Sequence, residues 1–203
     1  MKKSKAILMV VCAMLLVAAS VMGTLAYLTS TATVTNTFSV GNVAITMDEK
    51  DVDNSTTGAE RDTENAYKLM PGHEYEKDPT IHVAPTSEKC YLFVNVVNGI
   101  EAIEEKGTDT ATATTTVAAQ MTANGWEAVE GQTGVFVYTN KTDKPFAVAG
   151  GANIKVFDKF VIDDGVDNAT LAAYDTKTIV VTAYAIQADG FESMTATEIW
   201  AEF

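Results

Sequence analysis

The clearest alternation of apolar and polar positions runs from Leu28 to Met47. Leu28, Ala32, Val34, Phe38 and Val40 share one parity, and Thr29, Thr31, Thr33, Thr35 and Thr37 share the other. A period of two predicts an extended strand with one apolar face and one threonine face. At Gly41-Asn42 the parity flips, and Val43, Ile45 and Met47 become the apolar set. A one-residue flip requires a bulge, a bend or a change of sheet, and Gly-Asn suits any of them. The pattern predicts two strands joined at a corner.

Upstream the pattern changes in kind. Lys2, Lys3 and Lys5 precede fourteen consecutive apolar residues, Ala6 to Ala19. A membrane-crossing helix needs roughly 20, so this run suits the core of a secretion signal. Thr24 and Ala26 occupy the small-residue places of a cleavage site before Tyr27. The expected organisation is a signal peptide over 1–26 and a single domain over 27–203, with an uncleaved anchor as the alternative.

Downstream of the arm, apolar signal collapses from Asp48 into an acidic stretch that reads as an exposed loop, Asp48 to Tyr67. Strands are then predicted at Thr80–Val83, Cys90–Val97, Gly134–Thr139, Ile154–Ile162 and Lys177–Gln187. Pro71-Gly72 suits a type II turn, and Asn98-Gly99 and Asp163-Asp164-Gly165 close others. Short helices are expected within Ile100–Lys106, over Val117–Met121, from a cap at Asn168, and from about Met194 to Phe203. The strand ending at Gln187 is apolar on both faces, which predicts a central position in its sheet. Many short strands between turn signals predict an all-β, two-sheet β-sandwich with a few short helices.

Composition adds a compartment and removes several functions. The chain has 203 residues and a formal net charge of −13. Loss of the first 26 residues removes three lysines and no acid, leaving 11 basic against 27 acidic side chains, a net charge of −16. Such a surface disfavours nucleic acid and anionic membranes. Cys12 departs with the signal, so Cys90 stands alone in the mature chain and no intrachain disulfide is possible. Its place at the head of an apolar strand favours a buried thiol over an intermolecular bridge.

Four stretches carry a family resemblance. They are Gly23-Thr24-Leu25-Ala26-Tyr27-Leu28-Thr29; Val34-Thr35-Asn36-Thr37-Phe38-Ser39-Val40-Gly41-Asn42-Val43-Ala44-Ile45; Pro71-Gly72 through Ile81; and Ala183 to Phe191. Together they resemble the TasA/camelysin family of secreted proteins from Gram-positive bacteria. The resemblance implies processing by a SipW-type signal peptidase and a jelly-roll form of the sandwich. It further implies fibres of the biofilm matrix, outside the cell or on its surface, in which the first mature strand of one subunit completes a sheet of the next. Partners would be other copies of the chain and, in some assemblies, accessory matrix proteins.

Catalytic readings fare poorly beside this one. His73 and His82 stand nine residues apart, and neither belongs to an H-E-x-x-H helix. A metallopeptidase, an activity also described for camelysin-like members, would need a third ligand from elsewhere in the fold. There is no G-x-S-x-G elbow and no Gly-rich phosphate loop. Asp51 and Asp53 have the spacing of a calcium loop, but the glycine and the closing glutamate are misplaced, and a solvated acidic loop is the expected reading. No cofactor or metal is expected.

The arm is the better candidate. Burial of Leu28, Ala32, Val34, Phe38 and Val40 does not by itself offset the entropy of ordering the backbone from residue 28 to 40. A sheet edge that adds a ladder of hydrogen bonds makes up the difference. If that edge belongs to the same molecule the arm caps a monomer, and if to a neighbour it propagates a filament. The plainer alternative is an ordinary first strand of the sandwich. The function expected is a secreted structural subunit assembling by exchange of the Tyr27–Val40 strand, with a cell-surface adhesin or carbohydrate-binding module as the alternative.

Overall fold

The computed structural model describes residues 2–27, 41–107 and 115–203, with side chains in the first stretch at residues 3–17. The chain divides into two units, Met1–Ser39 and Val40–Phe203. In the first, the apolar run forms helix α1 (Lys2–Tyr27), along which the large apolar side chains from Ile7 to Val17 are exposed. Among the described residues no helix is long and apolar enough to cross a membrane.

The second unit is β-rich, with antiparallel, open sheets and short helices. One sheet joins β1 (Ile45–Lys50), β2 (Arg61–Asp62), β4 (Thr80–Val83) and β8 (Asn153–Lys155) in the order β2-β1-β4-β8. The small strands β3 (Glu74–Glu76) and β9 (Lys159–Val161) pair with each other. A second four-stranded sheet has the order β10-β5-β7-β6, from β5 (Cys90–Asn98), β6 (Trp126–Ala128), β7 (Val135–Tyr138) and β10 (Ile179–Gln187). Short helices α2 (Val117–Ala123), α3 (Asn168–Ala172) and α4 (Ala196–Trp200) fill the connections.

The core is organised by β5. Leu92, Val94 and Val96 point into one apolar cluster with Ile81 and Val83 of β4, Trp126 and Phe157. Tyr91 and Phe93 point the opposite way, into a second cluster with Val135 and Val137 of β7 and Ile199 of α4. A strand covered on both faces loses polar alternation, which is why Cys90–Val97 reads as a near-continuous apolar run. Trp126, fully buried, ties the two larger sheets together: its Nε1 donates to the Lys155 carbonyl of β8 at 2.9 Å, and its ring meets Tyr138 edge-on at 5.3 Å. Gln120 is the polar counterpart. From α2 its Nε2 donates to the Lys159 carbonyl at 2.9 Å, and its Oε1 accepts from the backbone of Asp158 and Lys159, each at 3.1 Å.

Several local expectations need correction. The stretch after Asp48 is not all loop, because Glu49 and Lys50 pair with Asp62 and Arg61 to make a hairpin. The region after Ile100 forms only a single 3-10 turn, Glu101–Ile103. The expected strand Ile154–Ile162 is two strands, since consecutive Val156 and Phe157 both enter the first core cluster and a pleated strand cannot send both to one face. Asp167, not Asn168, caps α3: its carboxylate accepts from the Thr170 amide at 2.7 Å, and Asn168 is the first helical residue. Among the described residues the strand ending at Gln187 lies at the edge of its sheet, not at the centre.

Among the described residues Glu104 and Glu49 are the buried acids; Glu104 is 2% exposed, and burial pushes its carboxyl above the ordinary value despite hydrogen bonds from Asn98 Nδ2 (3.0 Å) and the Val117 amide (3.4 Å). A raised folded-state pKa favours the folded chain below the unfolded value of about 4.3, and that advantage is lost as pH rises through the folded value. Urea unfolding of Glu104→Gln beside the parent is therefore expected to show the gap moving in the variant's favour from about pH 4 to pH 7. A constant gap across that range would contradict this account.

Candidate functional site

The candidate site grows out of β10. Its backbone is pinned to β5 by the even-numbered residues, with Gly99 N donating to Thr178 O at 2.9 Å at one end and Ala188 N donating to Lys89 O at 2.8 Å at the other. Antiparallel pairing alternates, so the N–H and C=O groups of Ile179, Val181, Ala183, Ala185 and Gln187 point away from β5. Among the described residues no strand pairs with that side. The result is an open edge nine residues long, where the other outer strands of both larger sheets, β2, β6 and β8, have three residues or fewer.

The side chains along this edge are unusual for a terminal strand. Ile179 to Gln187 contains no charge and no proline, the usual devices against edge-to-edge pairing. Ile179, Val181, Ala183 and Ala185 pack on the first core cluster yet stay only partly buried, whereas Leu92 and Val94, on the same face of the neighbouring strand, are fully buried. On the other face Val180 sits in register with Val97, and both are exposed, at 47% and 60%. Further along that face Tyr184 meets Trp200 and Phe203 edge-on at 5.0 and 5.5 Å.

The corner at Gly41-Asn42 lies close to one end of this edge. Asn42 O accepts from Glu88 N at 3.0 Å, and Lys89 O accepts from Ala188 N. Gly41 packs so tightly on the Glu88 side chain that a Cβ there would lie 3.1 Å from its Cγ. Beyond the corner the flipped parity appears as expected: Val43, Ile45 and Met47 pack on the first core cluster. The arm residues Leu28, Ala32, Val34, Phe38 and Val40 lie outside the described residues. Ala26 and Tyr27 form the last residues of α1, with their side chains outside the described set.

Several titratable groups are engaged in structural pairs. His82 contacts Asn153 Oδ1 through Nδ1 (2.7 Å) and Asp48 Oδ1 through Nε2 (3.0 Å), so both ring nitrogens are occupied. The bond to Asp48 raises the His82 pKa. Asp48, despite partial desolvation, is held below the ordinary range by Arg61 and His82, and Arg61 also pairs with Asp78 at 2.9 Å. Lys77 and Glu49 form a largely buried pair at 2.6 Å. His73 lies exposed on the Pro71-Gly72 turn, 6.4 Å from the Tyr75 ring. Cys90 is fully buried, and burial pushes its thiol up to about 11, leaving it neither nucleophile nor ready ligand. Two acidic groups draw close together, Asp51 with Asp53 and Asp62, and Glu105 with Asp163 and Asp164.

Sequence reasoning did not single out the β10 edge. The signal was present in its apolar, uncharged character, but that pattern serves equally for a strand between two neighbours and for one whose neighbour is supplied separately. Comparison with protein-family models, with curated proteins and with solved structures returns no match.

Proposed function

We propose that the protein is a secreted structural subunit of an extracellular fibre or biofilm matrix, built on a jelly-roll sandwich. Cleavage between Ala26 and Tyr27 frees the 27–40 arm, and the arm of one subunit adds as a strand to the outer edge of β10 in the next. The observation that carries this reading is the long, uncharged edge whose inward side chains lack their last layer of cover. An incoming strand would satisfy the outward N–H and C=O groups of the odd-numbered residues. Its apolar face would continue the inner surface begun by Ile179, Val181, Ala183 and Ala185, and its threonine face would meet solvent. Because donor and acceptor are different surfaces, the contact is head-to-tail and propagates.

The engagement of both His82 nitrogens and the burial of Cys90 support a structural over a hydrolytic role. Electron microscopy of processed protein is expected to show filaments, and protein lacking residues 27–40 is expected to remain as single subunits. Filaments from both would remove the arm from the mechanism.

A further inference from the structure

From the end of β1 through β2 the chain reads Asp51-Val52-Asp53-Asn54-Ser55-Thr56-Thr57-Gly58-Ala59-Glu60-Arg61-Asp62. Carboxylate oxygens of Asp51, Asp53 and Asp62 all lie within 4.8 Å of one another. Three anions at that separation repel, and the neighbouring cations are committed elsewhere. Lys50 pairs with Glu76, Arg61 with Asp48 and Asp78, and Lys77 with Glu49. A separate observation points into the same cluster. Asp51 Oδ1 is sealed from solvent and has no hydrogen-bond partner, although Oδ2 of the same carboxylate accepts from the Thr56 amide at 3.3 Å. An anionic oxygen stripped of water and given no donor is costly, and a cation is what satisfies it.

We propose that the 51–62 loop is a calcium site. The donors are all hard oxygens, which suits calcium over zinc or copper. Asp51, Asp53, Ser55 and Asp62 fall at positions 1, 3, 5 and 12 of a twelve-residue calcium loop, with the Thr57 carbonyl at position 7. Here the loop joins two strands instead of two helices, Thr56 stands at the usual glycine position, and an aspartate closes it in place of the longer glutamate. The remaining bonds fix the ligands in place: Asp53 accepts from Ser55 N (2.9 Å) and Ala66 N (2.6 Å), and Asp62 from Ser55 Oγ (2.8 Å). A shorter closing carboxylate leaves more of the coordination to water, so the affinity belongs with weak extracellular modules, about 10⁻⁴ to 10⁻³ M. Bound calcium would fasten the β1–β2 hairpin, which is held by only two paired residues on each strand.

The test is calorimetric titration of the full chain with calcium chloride and, separately, magnesium chloride, with melting followed in each buffer. Saturable calcium binding in the stated range is expected, at least about tenfold tighter than magnesium. Asp51→Asn and Asp62→Asn should each weaken it by about tenfold or more, while Asp163→Asn combined with Asp164→Asn leaves it unchanged. Without calcium, Asp51→Asn should melt at or above the parent temperature, because the stranded charge is gone. With calcium the parent should rise and the variant should not. Absence of saturation by about 10 mM calcium, equal binding by magnesium, parent-like binding in both loop variants, or loss of binding in the Asp163/Asp164 variant would each overturn the site.

Discussion

Ala183→Pro is expected to abolish filament formation while leaving the folded subunit intact. The Ala183 amide points to the open side of β10, so proline removes no hydrogen bond to β5. Proline is tolerated on edge strands in that orientation, and its ring obstructs a strand approaching from outside. Proline at the adjacent Thr182 would act oppositely, breaking the β10–β5 ladder and costing about 3 kcal/mol or more. Sedimentation and electron microscopy of the Ala183 variant, with circular dichroism as the folding control, separate the two effects. Filaments of parental abundance from a folded Ala183→Pro protein would show that β10 does not receive the arm.

The largest loss of folding stability is expected from Trp126→Ala, at about 3–5 kcal/mol by chemical denaturation. Truncation empties the volume of a fully buried indole between the two larger sheets, removes the edge-on contact with Tyr138, and strands the Lys155 carbonyl. Trp126→Phe keeps most of the volume but not the donor, and should fall between the two. Should Trp126→Ala cost under about 1 kcal/mol, the bridge between β6 and β8 would not be holding the sheets together.

The sequence made the interior strands legible because their chemistry is local. Thr80–Val83 and the run from Cys90 announce themselves by β-branched and aromatic content, and Pro71-Gly72 by its turn chemistry. Gly72 does take positive φ, at 68°. What the chain could not reveal was set by distant partners. Nothing around Lys155 foretells that a tryptophan 29 residues earlier will use its carbonyl, or that Gln120 will clasp the backbone of Asp158 and Lys159. The position of β10 was misread for a related reason: side-chain pattern reports how much cover a strand needs, not whether its own sheet supplies it. For the acidic loop, the spacing of Asp51 and Asp53 was visible, but the approach of Asp62 and the isolation of Asp51 Oδ1 arise only when β2 folds back on β1.

Cys90 has a practical consequence. It stands opposite Gln187 at one end of the β5–β10 ladder and exchanges backbone hydrogen bonds with Val148 on its other side. A thiol so enclosed reacts with an alkylating reagent only when that rim of the sheet opens. In chains processed after Ala26 it is the sole sulfhydryl. Its modification rate is therefore an intrinsic clock for unzipping at the end of the sheet nearest the Gly41-Asn42 corner, readable without introducing any label.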